Sequence, residues 1–135
     1  DGTNNRKVNG AIAAGGNASI PGFGPGSSGW SPDGNSLMYV ASEDIVDRFQ
    51  VIVADLGTGD RTVISPPAAP GGFLRSAGVW SADGESVLYV SEQELANVRE
   101  LFLSDREATQ SLKLSGTMTT GGRVFRFEST DPSVD

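Results

Sequence analysis

The chain has 135 residues, the length of one ordinary domain. Its 17 acidic residues outnumber 10 basic ones, and the formal charge of −7 argues against a binder of nucleic-acid phosphates or anionic membranes, because both need a basic surface. It has no apolar run of membrane-spanning length, no cysteine and no histidine, which excludes a membrane-spanning helix, disulfides, zinc–thiolate sites, imidazole metal sites and a Ser-His-Asp triad.

The first 29 residues are predicted to be the tail of one structural unit followed by a long loop. Residues 2–8 (Gly-Thr-Asn-Asn-Arg-Lys-Val) resemble residues 57–63 (Gly-Thr-Gly-Asp-Arg-Thr-Val). Residues 22–29 are rich in glycine, but they lack the Gly-Lys-Ser/Thr ending of a P-loop. We therefore interpret them as a loop and not as a phosphate-binding site.

A repeat with an offset of 50 residues organises the rest of the chain. Residues 30–40 (Trp-Ser-Pro-Asp-Gly-Asn-Ser-Leu-Met-Tyr-Val) recur as residues 80–90 (Trp-Ser-Ala-Asp-Gly-Glu-Ser-Val-Leu-Tyr-Val), with seven of the eleven positions identical. The correspondence continues without a gap as far as residues 121–122. The conspicuous repeated positions are Trp30, Asp33, Gly34, Tyr39, Trp80, Asp83, Gly84 and Tyr89.

Each unit is predicted to form four short antiparallel strands. The first strand ends at the tryptophan and meets the second across Asp-Gly, which is a strong signal for a tight hairpin turn. The later strands are predicted at residues 36–42, 49–56, 61–65, 86–91, 99–105 and 111–115. Leu95 and Val98 have helical spacing, but the position of residues 92–99 between two strands favours a hairpin loop. Residues 65–72 contain three prolines, which exclude regular pairing.

Four strands per unit and an aromatic residue at a fixed register are typical of β-propeller blades. The Trp-Ser-Pro-Asp-Gly element at residues 30–34, followed by an apolar-Tyr-Val strand, resembles the TolB-like (PD40, or WD40-like) propeller repeat. The copy at residues 80–84 lacks the proline, and Thr130 stands where a third tryptophan would be. The resemblance implies an all-β fold of β-propeller blades that form an incomplete ring. Its predicted parts are a blade tail with a long loop (1–29), two blade units (30–79 and 80–121) and the start of a further blade (122–135).

Two blades do not close a propeller, which needs at least four blades, or roughly 200 residues at this period. They would leave strand edges and apolar faces unpaired. The preferred interpretation is a segment of a longer propeller. The alternatives are a homo-oligomer that completes the ring, for example three chains with two blades each, and an open or sandwich-like β domain.

The repeated aromatic residues are interpreted as scaffold and not as a ligand platform. Their recurrence in register favours packing between neighbouring blades, where aromatic side chains bury a large area at low entropic cost. This interpretation applies to Trp30, Trp80, Tyr39 and Tyr89.

Most of the acidic residues are interpreted as turn or surface residues. Asp33 and Asp83 precede glycine in tight turns, and Asp55 and Asp105 follow strands. Calcium is the alternative interpretation, and residues 131–135 also offer oxygen ligands, but the spacing of a calcium loop is missing. We therefore expect no cofactor and no metal. A further cluster is expected to be a solvated acidic face or to attract a basic partner; its members are Glu92, Glu94, Glu100, Asp105 and Glu107.

By resemblance, the chain is expected to be a non-enzymatic binding module with a protein or peptide partner. TolB-like propellers are typically exported bacterial proteins, and the family's namesake works in the cell envelope with the Tol–Pal system. This implies a periplasmic or otherwise extracytoplasmic location, with any signal peptide already removed.

Two other functions remain open. One is the gating propeller of a prolyl-oligopeptidase-like serine peptidase, whose chemistry would lie on a separate domain because this chain has no histidine and no Gly-x-Ser-x-Gly elbow. The other is a carbohydrate-binding or lyase-type propeller, whose known metal-dependent form uses histidines that are absent here.

Overall fold

The computed structural model describes residues 3–19 and 29–124, apart from the side chains of Ser76 and Ala77. None of the described residues is helical, so this part of the chain contains no helix that is long and apolar enough to cross a membrane. The strands are β1 (Ala18–Ser19), β2 (Ser36–Ala41), β3 (Gln50–Asp55), β4 (Arg61–Val63), β5 (Leu74–Trp80), β6 (Ser86–Ser91), β7 (Glu100–Asp105) and β8 (Ser111–Lys113).

The strands form two antiparallel sheets of four, each in chain order. The first sheet contains β1 to β4 and the second contains β5 to β8. Met38 pairs with Val53 in the first sheet, and Leu88 pairs with Leu103 at the equivalent place in the second. The repeat in the sequence is therefore a repeat in strand register. The prediction of an all-β fold is confirmed, and residues 92–99 form a loop, as predicted.

The main hydrophobic core lies between the two sheets. Alternate residues of a strand point to opposite faces, so β2 and β3 direct Met38, Val51 and Val53 toward the second sheet. Tyr89 and Phe102 face them from β6 and β7, with their rings stacked at a centroid distance of 5.6 Å. These contacts hold the two units together.

The two remaining faces of the sheets differ. On the first sheet, Tyr39 and Ile52 are buried, and Val8 from the N-terminal segment packs against them. On the second sheet, the face opposite the core leaves Val79 49% and Leu112 59% exposed. Within the described residues the two sheets do not close a ring, and the all-β architecture is that of an incomplete propeller.

A β-bulge interrupts the pairing of β5 with β6. The register shifts between Ser76 and Val79. Gly78 has φ +75°, and a Cβ atom at this position would lie 1.2 Å from the carbonyl oxygen of Leu88. Only glycine allows the two strands to approach this closely.

The turn that precedes β1 and β5 occurs a third time after β8. The N–H of Gly16 donates to the carbonyl of Ala13, that of Gly72 to Ala69, and that of Gly122 to Thr119, each at 2.7 Å. Alignment on these turns places Val8 in the position of Ile64, which is one of the residues that the first unit contributes to the main core. The start of the chain therefore packs against the first sheet in the way that the first unit packs against the second.

Candidate binding surface at the long-loop end of the sheets

The loops of the two units lie at two opposite ends of the sheets. The tight-turn end carries the short turns at residues 31–35, 56–60, 81–85 and 106–110. The long-loop end carries the hairpin loops at residues 42–49 and 92–99 and the connections before β5 and after β8. The residues singled out from the repeat are concentrated at the tight-turn end or within the sheets.

At the tight-turn end, Asp33 and Asp83 fix their turns. Asp33 accepts hydrogen bonds from the Ser31 hydroxyl at 2.6 Å and from the N–H of Asn35 at 3.0 Å. These hydrogen bonds, of which the one from Ser31 has the largest effect, lower the pKa of Asp33 to about 2. Asp83 accepts from the Ser81 hydroxyl at 2.5 Å in the same way. Gly34 and Gly84 complete these turns with positive φ angles of 74° and 76°.

Asp55 and Asp105 hold the turns between the third and fourth strands. Asp55 accepts from the N–H groups of Gly57 and Thr58, both at 2.8 Å. Asp105 accepts from the N–H and the hydroxyl of Thr109. Among the described residues, no three or more carboxylates come together to form a metal-binding group; residues 131–135 lie outside the described ranges.

The four repeated aromatic residues occupy two kinds of environment. Tyr39 and Tyr89 are buried, and their hydroxyls donate to Glu43 at 2.8 Å and Gln93 at 3.2 Å. Trp80 packs against the core, and its Nε1 donates to the carbonyl of Gly29 at 3.0 Å. Trp30 is 51% exposed, although packing between units was expected for both tryptophans.

At the long-loop end of the first unit, Glu43 holds the N-terminal segment. Its carboxylate pairs with Arg61, and it accepts from the N–H of Gly10 at 2.9 Å and from the Tyr39 hydroxyl. Burial alone would raise the pKa of Glu43, but these three hydrogen bonds outweigh burial and lower it below its usual value. Glu43 therefore acts as a charged clamp between loops that are distant in sequence.

Glu92 is the corresponding clamp of the second unit, and its side chain is 1% exposed. Its Oε1 accepts from Nε and Nη2 of Arg75 at 2.6 and 2.5 Å, and Arg99 lies 3.7 Å away. Its Oε2 accepts from the N–H groups of Phe73 and Asn97 at 3.2 and 3.1 Å. Burial opposes ionisation, but the bonds from Asn97, Arg75 and Phe73 lower the pKa of Glu92.

The predicted solvated acidic face is therefore wrong for two of its members. Glu92 and Glu100 are buried, at 1% and 3% exposure. Glu94 and Glu100 share Lys113, whose Nζ lies 2.6 and 3.1 Å from them. Asp105 and Glu107 lie at the other end of the sheet, so the five residues do not form one surface.

A groove opens between the units at the long-loop end. It has a volume of about 230 Å³ and lies between residues 45–49 of the first hairpin loop and residues 68–74 before β5. Ile45 and Phe73 on its walls are 50% and 53% exposed. Arg75 lies over the Phe73 ring at 4.9 Å from its centroid, and the clamp at Glu92 fixes Arg75 in turn. The groove thus combines accessible apolar side chains with a restrained wall.

Comparison with known proteins bears on the fold. The sequence matches no known protein-family model and no curated protein. The chain is similar to TolB from Acinetobacter baumannii, with a TM-score of 0.49 and 29% identity, over 64% of this chain and 20% of that one. It is also similar to a structure assigned as TolB from Agrobacterium tumefaciens, with a TM-score of 0.50 and 21% identity, over 67% of this chain and 30% of that one. The fold is TolB-like. The chain spans only 20% and 30% of the lengths of these two TolB proteins.

The TolB-like repeat does not account for the two carboxylate clamps, because they are not repeated positions. With the offset of 50, Ser42 stands where Glu92 does, and Gln93 stands where Glu43 does. The Ser42 hydroxyl accepts from the N–H of Asn17 at 3.0 Å, which is the role that Glu92 plays for Phe73. A comparison of the two units at the positions where they differ is the sequence signal that points to these residues.

Proposed function

We propose that this chain is a non-enzymatic binding module of the TolB-like propeller type, which binds a protein or peptide at the groove of the long-loop end. The observation that supports this most strongly is the combination of exposed Ile45 and Phe73 on the groove walls with Arg75, which lies over Phe73 and is held by the buried Glu92. Exposed apolar side chains on a restrained scaffold are typical of binding surfaces, since side chains and loops that are already fixed lose little conformational entropy on binding.

The proposed module works outside the bacterial cytoplasm, in the periplasm or elsewhere in the cell envelope. The TolB-like fold supports this location. The formal charge of −7 is compatible with a protein or peptide partner and unfavourable for a nucleic-acid one. Completion of the propeller, by more of the same chain or by further copies, is part of the proposal. It is supported by the exposed apolar face of the second sheet.

Peptide selection on the whole chain tests the proposal. Peptides selected from a random display library on the wild-type protein are compared for binding to Ile45→Asp and Leu95→Asp variants. Leu95 is the repeat equivalent of Ile45 and is exposed to a similar degree, 53% against 50%, but it does not line the groove. We expect Ile45→Asp to lose binding by at least about tenfold and Leu95→Asp to retain it. Equal binding to all three proteins would show that the groove is not the binding surface.

A further inference from the structure

Two buried polar atoms between the sheets lack a hydrogen-bond partner among the described residues. Ser91 Oγ and Glu100 Oε2 make no hydrogen bond with any of the residues that the structure describes. The two residues are 0% and 3% exposed. They are registered partners on β6 and β7, so their side chains point to the same face, with Cβ atoms about 5 Å apart.

This pair lies at the long-loop end of the main core. Two residues earlier on β6 is Tyr89, and two residues later on β7 is Phe102, and both face the first sheet. By strand alternation, Ser91 and Glu100 face the first sheet as well. The two atoms are therefore enclosed between the units and not open to bulk solvent.

The chemistry of the pair requires a partner that donates to Glu100 and that either donates to Ser91 or accepts from it. A serine hydroxyl has one donor and two acceptor positions, whereas an ionised carboxylate only accepts. The other oxygen of Glu100 already pairs with Lys113, whose Nζ lies 3.1 Å from Oε1, so Oε2 is the carboxylate atom that still needs a donor. Water is the smallest neutral group that can donate to Oε2 and also bond to the Ser91 hydroxyl.

In the first unit, the equivalent pair of residues needs no bound molecule, because its polar side chain bonds directly to the protein. The pair is Ala41 and Gln50, and the Gln50 amide donates to the carbonyl of Ser65 at 3.0 Å. The neighbouring backbone contact recurs in the second unit: the N–H of Val51 donates to the Ser65 hydroxyl at 2.8 Å, and that of Leu101 donates to the Ser115 hydroxyl at 3.1 Å. An ionised glutamate cannot donate as glutamine does, so Glu100 cannot make the bond that Gln50 makes, and its Oε2 is left without a donor.

We propose that a single buried water molecule bridges Ser91 and Glu100. The water accepts the hydrogen bond of the Ser91 hydroxyl and donates to Glu100 Oε2, with one hydrogen left for a third partner. Buried waters in proteins typically make about three hydrogen bonds to polar groups that would otherwise be unpaired. The site is specific to the second unit, because alanine and glutamine occupy the equivalent positions of the first.

A crystal structure of the whole chain, together with the Ser91→Ala/Glu100→Gln variant, tests the site directly. This double variant recreates the pair found in the first unit and changes side-chain volume little. The wild type is expected to show one density peak at about 2.8 Å from both Ser91 Oγ and Glu100 Oε2. In the variant the peak is lost, and the new amide donates to the Ser115 carbonyl. A direct Ser91–Glu100 hydrogen bond with no peak would overturn the proposal, as would a peak with the short distances and many ligands of a cation.

Urea denaturation of the single and double variants gives a second test that does not need crystals. If Ser91 and Glu100 bind the same water molecule, they are coupled, so the effects of substituting them on the urea midpoint of unfolding must be non-additive. We expect each single variant to lower the midpoint and the double variant to recover most of that loss. Additive losses would contradict a shared water. This test is independent of peptide binding at the groove.

Discussion

Arg75 and the buried Glu92 form a two-pronged ion pair, with Nε and Nη2 of the arginine 2.6 and 2.5 Å from the same carboxylate oxygen. The second oxygen of Glu92 accepts two backbone N–H groups from loops on either side, those of Phe73 and Asn97. One side chain therefore ties β5, the connection before it and the second hairpin loop together. This pair therefore fixes the positions of these three segments relative to one another at the long-loop end.

Removal of the Glu92 carboxylate should destabilise the protein. In a Glu92→Ala variant, the N–H groups of Phe73 and Asn97 lose their acceptor and Arg75 loses its partner. We expect a loss of about 2 kcal/mol in the free energy of unfolding, measured by urea denaturation. Glu94→Ala is the control, because the Glu94 side chain is 53% exposed and forms a surface ion pair with Lys113; this change should have little effect. Equal losses in the two variants would contradict the clamp.

The stability of the protein should fall in acid. The pKa values of Glu43 and Glu92 are lowered in the folded protein from an ordinary value of 4.5, so in acid the unfolded chain binds more protons than the folded one. Their contribution is therefore fully present above about pH 4.5 and is lost as pH falls through the lowered values. Unfolding free energies measured between pH 7 and pH 3 check this.

The matched control for the pH dependence is a variant with both clamps neutralised. Glu43→Gln/Glu92→Gln should be less stable than the wild type at pH 7, and its stability should change less between pH 5 and pH 3. The carboxylates of the tight turns remain in this variant and titrate as before. If the acid-induced loss were as steep in the variant as in the wild type, other carboxylates would have to cause it.

The bulge at Gly78 should not tolerate a side chain. Gly78→Ala places a Cβ atom 1.2 Å from the Leu88 carbonyl oxygen at φ +75°, so the strands must separate as well as accept a strained backbone. Gly34→Ala is the control, because Gly34 has φ +74° but no atom within 4 Å of the added Cβ. We expect the free energy of unfolding to fall by about 1 kcal/mol in Gly34→Ala and by more than about 3 kcal/mol in Gly78→Ala. Thermal or urea unfolding of both variants decides whether close approach or backbone strain dominates at the bulge.

The strands could be predicted from the sequence because their determinants are local. The Asp-Gly turns and the apolar runs that follow them place β2 and β6 within one residue of their observed ends. The predicted fourth strand of each unit, 61–65 and 111–115, is two residues too long. Ile64 and Leu114 bond back to the third strand through their N–H groups, but pairing as a strand ends before them.

The environment of the site residues could not be predicted, because it depends on what lies against each unit. Trp30 and Trp80 stand in nearly identical sequence, yet one is half exposed and the other packs against the core. Glu92 was predicted to be solvated, and its burial follows from arginines 17 residues before it and 7 residues after it in the sequence. Charge composition does not report such contacts, since they arise only when two loops are brought together by the sheets.

The exposed face of the second sheet should cause self-association of the isolated chain. Leu103 on β7 is the repeat equivalent of Val53, which is 4% exposed because the second sheet covers it. No described residues cover Leu103 in the same way, so copies of the chain should meet through this face. Light scattering over a range of concentrations should show a mass that rises in the wild type and stays near one chain in Leu103→Glu. Val53→Glu is the matched variant and should unfold the protein, since it buries a charge in the main core. A wild type that remains a single chain at all concentrations would show that this face does not mediate association.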